Sequence, residues 1–123
     1  MYILGIDYGR INIGLAIADE ELKIAMPYKN IKNKDTLSYL KKIIKELDVK
    51  RIVIGMPMGL DNQKTNFTEP TKHFIEKLKK NLSLPISEFD ERFTTQMAKK
   101  LINSSDNHKV AAQIILQNYI DSN

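Results

Sequence analysis

The run Tyr2-Ile3-Leu4-Gly5-Ile6, followed at once by Asp7, constrains this chain more than any other stretch. A short, continuously apolar segment reads as a strand buried on both faces. A carboxylate at its end needs compensation, because desolvating a lone charge is costly. Three compensations are available: an arginine, the backbone donors of the Tyr8-Gly9-Arg10 turn, or a metal ion. Which one applies separates a structural aspartate from a chemical one.

With 123 residues, 42% hydrophobic and 28% charged, the chain is expected to form one soluble globular domain over 1–123. No apolar stretch approaches the ~20 residues of a membrane span, and the N-terminus lacks a signal peptide's basic start. A cytosolic protein that does not engage membranes is therefore expected. The absence of cysteine removes disulfides, thiolate nucleophiles and thiolate metal sites. The net charge is +4, carried mostly by lysine. Lys41-Lys42-Lys45 and Lys77-Lys79-Lys80 fall on polar helix faces, as solvated charge or as a footprint for a phosphate backbone.

Hydrophobic periodicity predicts an α/β fold. Tyr2 to Asp7 forms a first strand, and Gly9-Arg10 a tight turn. Asn12 to Ala18 then makes a half-buried antiparallel strand through Ile13, Leu15 and Ile17. Ile24 to Tyr28 is a short third strand, placed at the sheet edge by Pro27. A helix capped by Asp35 presents Leu37, Leu40, Ile44 and Leu47 on one face. Arg51 to Gly55 reads as a central parallel strand, and Met56 to Asn66 as a loop. Pro70 opens a helix carrying Phe74, Leu78 and Leu82. Pro85 to Phe89 is a weaker last strand, followed by a helix from Thr94 or Thr95 through Ile102 and a polar break at 103–107. A final helix from His108 to Ile120 shows Ala111, Ala112, Ile115 and Tyr119 on one face. The order implies a mixed sheet with helices on both faces.

Three clusters fall at element ends on one side of that sheet. Asp7 ends a central parallel strand, where ligands of open α/β sheets gather; it reads as a metal ligand or general base, or as a turn aspartate. Asp90-Glu91-Arg92 follows the last strand, and alternation lets only one of the two carboxylates face Asp7. Arg92 can neutralise a carboxylate or clamp a phosphate. In Asp106-Asn107-His108, an aspartate or asparagine can cap the final helix, while His108 falls on its buried face. Oxygen ligands with an occasional imidazole suit Mg²⁺ or Mn²⁺. Such ions orient water and stabilise a leaving oxygen in phosphodiester hydrolysis. Asp61 reads as a turn residue, His73 as a helix-surface residue, and Met26, Met56, Met58 and Met97 as core and loop packing.

Gly5-Ile6-Asp7-Tyr8-Gly9 with Ile13-Gly14-Leu15-Ala16 resembles the opening motif of the YqgF (RuvX) family. Gly55-Met56-Pro57 with Asp61 resembles its central strand and loop, and Asp90-Glu91-Arg92-Phe93-Thr94-Thr95 its most specific motif. Ala111-Ala112, Ile114-Ile115-Leu116-Gln117 and Tyr119 resemble its last helix. The resemblance runs nearly end to end. It implies an RNase H-like fold with a five-stranded mixed sheet, strand 2 antiparallel, and a metal-dependent nuclease. It makes Asp7 and Glu91 metal-binding or catalytic carboxylates. The expected site then has Asp7 and Glu91 holding Mg²⁺ or Mn²⁺, His108 or Asp106 completing the metal shell, His108 as the third catalytic residue, and Arg10, Arg92 and Asn12 contacting substrate. His108 stands where the family carries an aspartate, and Asn12 where it usually has a basic residue.

The implied substrate is structured nucleic acid, with 5′-end processing of pre-16S rRNA in ribosome biogenesis favoured. A ribosomal precursor particle is a possible partner, and the protein is a monomer or homodimer. Branched DNA, cut as by a Holliday-junction resolvase, is the alternative, as is a non-catalytic nucleic-acid-binding factor. A sugar-kinase or actin-like ATPase also opens with Asp-x-Gly, but needs a second domain to clamp nucleotide.

Overall fold

A computed structural model describes residues 1–56, 68–90 and 107–122. Their strands form one five-stranded sheet in the order β3-β2-β1-β4-β5. The strands are β1 (Tyr2–Asp7), β2 (Asn12–Asp19), β3 (Ala25–Lys32), β4 (Val49–Met56) and β5 (Ile86–Asp90). β2 is antiparallel to β1 and β3, whereas β4 is parallel to both β1 and β5. The carboxyl ends of the three parallel strands therefore share one end of the sheet.

Alternation along β1 sorts the two cores. Leu4 and Ile6 face α1 (Thr36–Leu47) and α2 (Thr68–Asn81), packing with Ile13, Leu15, Leu40, Ile43, Ile52 and Leu78. On the opposite face α3 (Asn107–Asp121) sets Ala112, Ile115 and Leu116 against Ala16, Ala18, Ala25 and Val53. Burying side chains as large as Ile115 and Leu116 stabilises the fold by about 1.5–3 kcal/mol each.

The small residues are what let α3 come so close. A Cβ on Gly5 would lie 2.9 Å from Leu116 Cβ, and one on Gly14 would lie 2.0 Å from the His108 carbonyl. The helix backbone thus rests directly on the β1–β2 ladder. This corrects the reading of β2 as half-buried: Ile13 and Leu15 face one helix layer, while Ala16 and Ala18 are covered by α3. Alanine is too weakly hydrophobic for an alternation pattern to reveal its burial.

Other expectations shift modestly. β3 does lie at an edge, but it runs to Lys32 rather than Tyr28. Asp35 occupies the N-cap of α1 in a left-handed conformation (φ 55°) without a side-chain cap bond. Instead the Thr36 hydroxyl donates to Asn33 Oδ1 at 3.2 Å. Met26 is 61% exposed rather than packed in a core. His73 is exposed, as expected. The loop expected at 56–66, including Asp61 and Met58, lies outside the described residues from 57 onward, as do the helix expected over 94–102, Met97 and the polar break up to 106.

The exposed rim of β3 is closed by side chains of α3. Gln117 Oε1 accepts the Ala25 N–H at 2.8 Å, and Gln113 Nε2 donates to the Ala25 carbonyl at 3.2 Å. Gln117 Nε2 donates to the Lys23 carbonyl at 3.1 Å. The amides mimic a neighbouring strand. Pro27, further along, has no N–H to offer. No helix among the described residues is long and apolar enough to cross a membrane.

Candidate active site

Asp7 and Gly9 project from the α3 face of β1 because Leu4, Ile6 and Tyr8 take the other face. Asp7 pairs with Gly14 across the β1–β2 ladder, and Gly14 pairs with Asn30 of β3. This row of three residues seats the first turn of α3. Gly14 supplies room for the His108 backbone, and Asn30 Oδ1 accepts the Lys109 N–H at 2.9 Å. One of the orphan donors at the N-terminus of α3 is satisfied in this way.

The seat delivers His108 to Asp7. His108 Nδ1 lies 3.0 Å from Asp7 Oδ2. The aspartate is 4% exposed. The histidine side chain is 31% exposed, so the pair sits at the mouth of the site rather than deep in the core. An ionised carboxylate can only accept, so Nδ1–H is the donor, and in the neutral imidazole Nε2 then carries the lone pair. Gly9 is part of the arrangement, because a Cβ there would fall 3.0 Å from His108 Cε1 and 2.2 Å from the Asn12 carbonyl. Its φ is not positive, so space and not backbone conformation calls for glycine.

The three compensations open to Asp7 now separate in part. Among the described residues its partner is His108, a group that the sequence offered as a fellow ligand and catalytic residue but not as a hydrogen-bond partner. Arg10 and Asn12 lie in and just after the β1–β2 connection beside this pair, Arg10 exposed and Asn12 half-buried. Glu91, Arg92 and Asp106 lie outside the described residues. β5 carries the chain to Asp90, whose backbone pairs with Met56 at the same end of the sheet as Asp7.

The donor set can be tested for a divalent cation. Among the described residues no group of three or more His, Cys, Asp or Glu converges on one point. Asp7 and His108 provide two donors of the kind such an ion accepts, carboxylate oxygen and imidazole nitrogen. A histidine ligand commonly donates its other ring N–H to a carboxylate, as Nδ1 does here. The pair fits a divalent centre that further donors would complete.

The sequence singled out Asp7 and His108, which the structure brings together, but gave no sign of Asn30 and Asn33. Asn33 Nδ2 donates to the Gly9 carbonyl at 2.9 Å and its N–H to the Ile11 carbonyl at 2.7 Å. The corner before α1 is thereby pinned to the β1–β2 hairpin. A lone asparagine after a strand carries no signal of a partner some twenty residues away.

Comparison with known proteins agrees along the whole chain. A family model described as RuvX, Holliday junction resolvase, matches residues 1–122. A Dictyoglomus turgidum protein provisionally named pre-16S rRNA nuclease is 39% identical over 134 aligned positions, covering 99% of this chain and 95% of that protein. A Rickettsia rickettsii protein with the same name is 34% identical over 132 positions, covering 98% and 86%. Among solved structures, Thermus thermophilus RuvC in complex with Holliday junction substrate superposes with a TM-score of 0.62 at 12% identity, covering 99% of this chain and 95% of that one. The fowlpox virus resolvase with its Holliday junction DNA gives 0.60 at 13% identity, covering 99% and 98%. At such identities these two structures establish the shared RNase H-like fold alone.

Proposed function

The chain belongs to the RuvX family, and we propose that it works as a metal-dependent nuclease hydrolysing phosphodiester bonds of structured nucleic acid. The observation that carries this reading is the 3.0 Å approach of His108 Nδ1 to Asp7 Oδ2 at the carboxyl end of a central strand. The relatives' names favour pre-16S rRNA as the substrate; in our reading the reaction is processing of its 5′ end, within a ribosomal precursor particle in the cytoplasm. Residues 1–123 act as one nuclease domain in this reading.

Asp7 and Glu91, with His108 and Asp106, would hold Mg²⁺ or Mn²⁺. Such an ion would orient a water and stabilise the departing oxygen. The chain's own groups do the rest. Asp7 fixes the ring of His108 and its tautomer, leaving the Nε2 lone pair to coordinate or to receive a proton from water. Arg10 and Arg92 neutralise phosphate charge, and Asn12 donates to a phosphate oxygen.

The test is a cleavage assay in Mg²⁺ or Mn²⁺ comparing a ribosomal RNA precursor with a four-way DNA junction. Asp7→Asn should lower the rate by about 10²–10⁴-fold, the scale of losing a positioned catalytic group, and His108→Ala should lower it in the same range. Undiminished cleavage by Asp7→Asn overturns the site assignment. Preference for the junction would favour the resolvase reading, which the RuvX family description supports. Nucleic-acid binding without saturable Mn²⁺ uptake would favour a non-catalytic factor.

A further inference from the structure

We propose that the corner where β3 passes into α1 is a second nucleic-acid contact: a basic groove that grips the phosphodiester backbone away from the bond being cut. The proposal rests on the nuclease reading for its direction toward Asp7, but its charge and shape stand apart from that reading. Lys32, Lys34 and Lys42 line a groove of about 360 Å³ together with Ile31, Ser38 and Tyr39. Asp35 is the one acidic residue in the lining, beside three lysines. Lys29 adds a further cation, its Nζ 5.7 Å above the Tyr39 ring. The first turn of α1 adds no acidic side chain to Asp35 at its N-cap.

The position of the groove favours a strand running from the site over an acidic protein. Asp7, Gly14 and Asn30 form one row across the sheet, and Lys32 lies two residues beyond Asn30 on β3. With strands ~4.8 Å apart and a rise of ~3.3 Å per residue, Lys32 starts about 12 Å from Asp7. The bonds from Asn33 to Gly9 and Ile11 hold this corner against the hairpin that carries Arg10 and Asn12. The groove thus adjoins that hairpin across the edge of the sheet, with Ile31 and Tyr39 on the α1 face and Asp7 on the α3 face. Flexible lysines over an apolar floor of Ile31 and Tyr39 suit sequence-independent capture of phosphates with bases resting on the floor.

The test is fluorescence-anisotropy titration across a salt series, in EDTA so that nothing is cut. The probes are a labelled single-stranded RNA and a DNA of the same sequence. The groove variant is Lys32→Gln/Lys34→Gln/Lys42→Gln. A control variant, Lys45→Gln/Lys79→Gln/Lys80→Gln, removes equal charge from exposed positions near the other ends of α1 and α2. The groove variant should bind at least about tenfold more weakly at low salt. Its plot of log affinity against log salt should be shallower by about 2, since each neutralised phosphate of a single strand contributes ~0.7. The control should follow wild type. Circular dichroism checks folding, with Lys34→Gln alone as the fallback. Equal losses in both variants, no loss in the groove variant, or equal capture of polyglutamate by wild type overturn the proposal. Wild-type protein that binds through the groove yet cuts nothing leaves the groove standing and removes the nuclease reading. Weaker binding of RNA alone, or of DNA alone, identifies which backbone the groove serves.

Discussion

Gly14 does for His108 what no polar residue could. Its missing side chain is the space in which the first turn of α3 sits, since an added Cβ would meet the His108 carbonyl carbon and oxygen at 2.0 Å. Both atoms belong to the backbone, so rotating a side chain cannot relieve the clash. Gly14→Ala should push the start of α3 off the sheet and take the imidazole out of reach of Asp7. We expect a stability loss of about 1–3 kcal/mol, the range for overpacking, measurable by urea unfolding. Cleavage should fall further than stability explains, and wild-type cleavage by a correctly folded variant would refute this account. His108→Asp makes a different test. The mount formed by Gly14 and Asn30 holds the residue 108 backbone whatever head group it bears, so a carboxylate there should keep Mn²⁺ uptake by calorimetry. It should also abolish any dependence on a neutral imidazole in the pH–rate profile.

At the level of elements, the β2–β3 connection offers a pH-dependent contribution. Asp19 Oδ1 accepts the N–H groups of Glu21 at 2.8 Å and Leu22 at 3.2 Å. The Glu21 bond, then the Leu22 bond, hold its carboxyl below the ordinary value of 3.8. A lowered folded-state pKa adds stability above the unfolded value, lost as pH falls through the folded one. Asp19→Asn should therefore remove a contribution that is present at neutral pH, lowering the melting temperature there, and converge with wild type as pH falls below about 3.8, which melting temperature against pH reads directly. The elements themselves were legible where period and burial agree: β1, β4 and α2 stand within a few residues of their expected bounds. Asp7 and His108 were legible as candidates because each lies at the end of an apolar pattern. Their mutual hydrogen bond was not, since it depends on how closely α3 approaches, and that distance is set by glycines and alanines with no periodic signal. The Asn30 and Asn33 contacts are likewise products of the tertiary arrangement.

For the whole molecule, charge and topology act together. The parallel strands end on one side, Asp7 and His108 meet there, and the lysines of the β3–α1 corner lie beyond them toward the sheet edge. A protein built this way should bind nucleic acid with a strong inverse dependence on salt even when Asp7→Asn has stopped cleavage. Anisotropy with that variant in a salt series checks it, and salt-independent binding would count against an electrostatic interface. The glutamines over β3 have a different bearing, on solubility and assembly. Leu22, Ile24 and Met26 are 72%, 64% and 61% exposed near that rim, a composition that would invite strands to stack end on end. Gln113 and Gln117 already occupy the Ala25 N–H and carbonyl and the Lys23 carbonyl. A second molecule finds that stretch of hem sewn shut, so strand pairing along residues 23–25 has to begin by tearing helix from sheet.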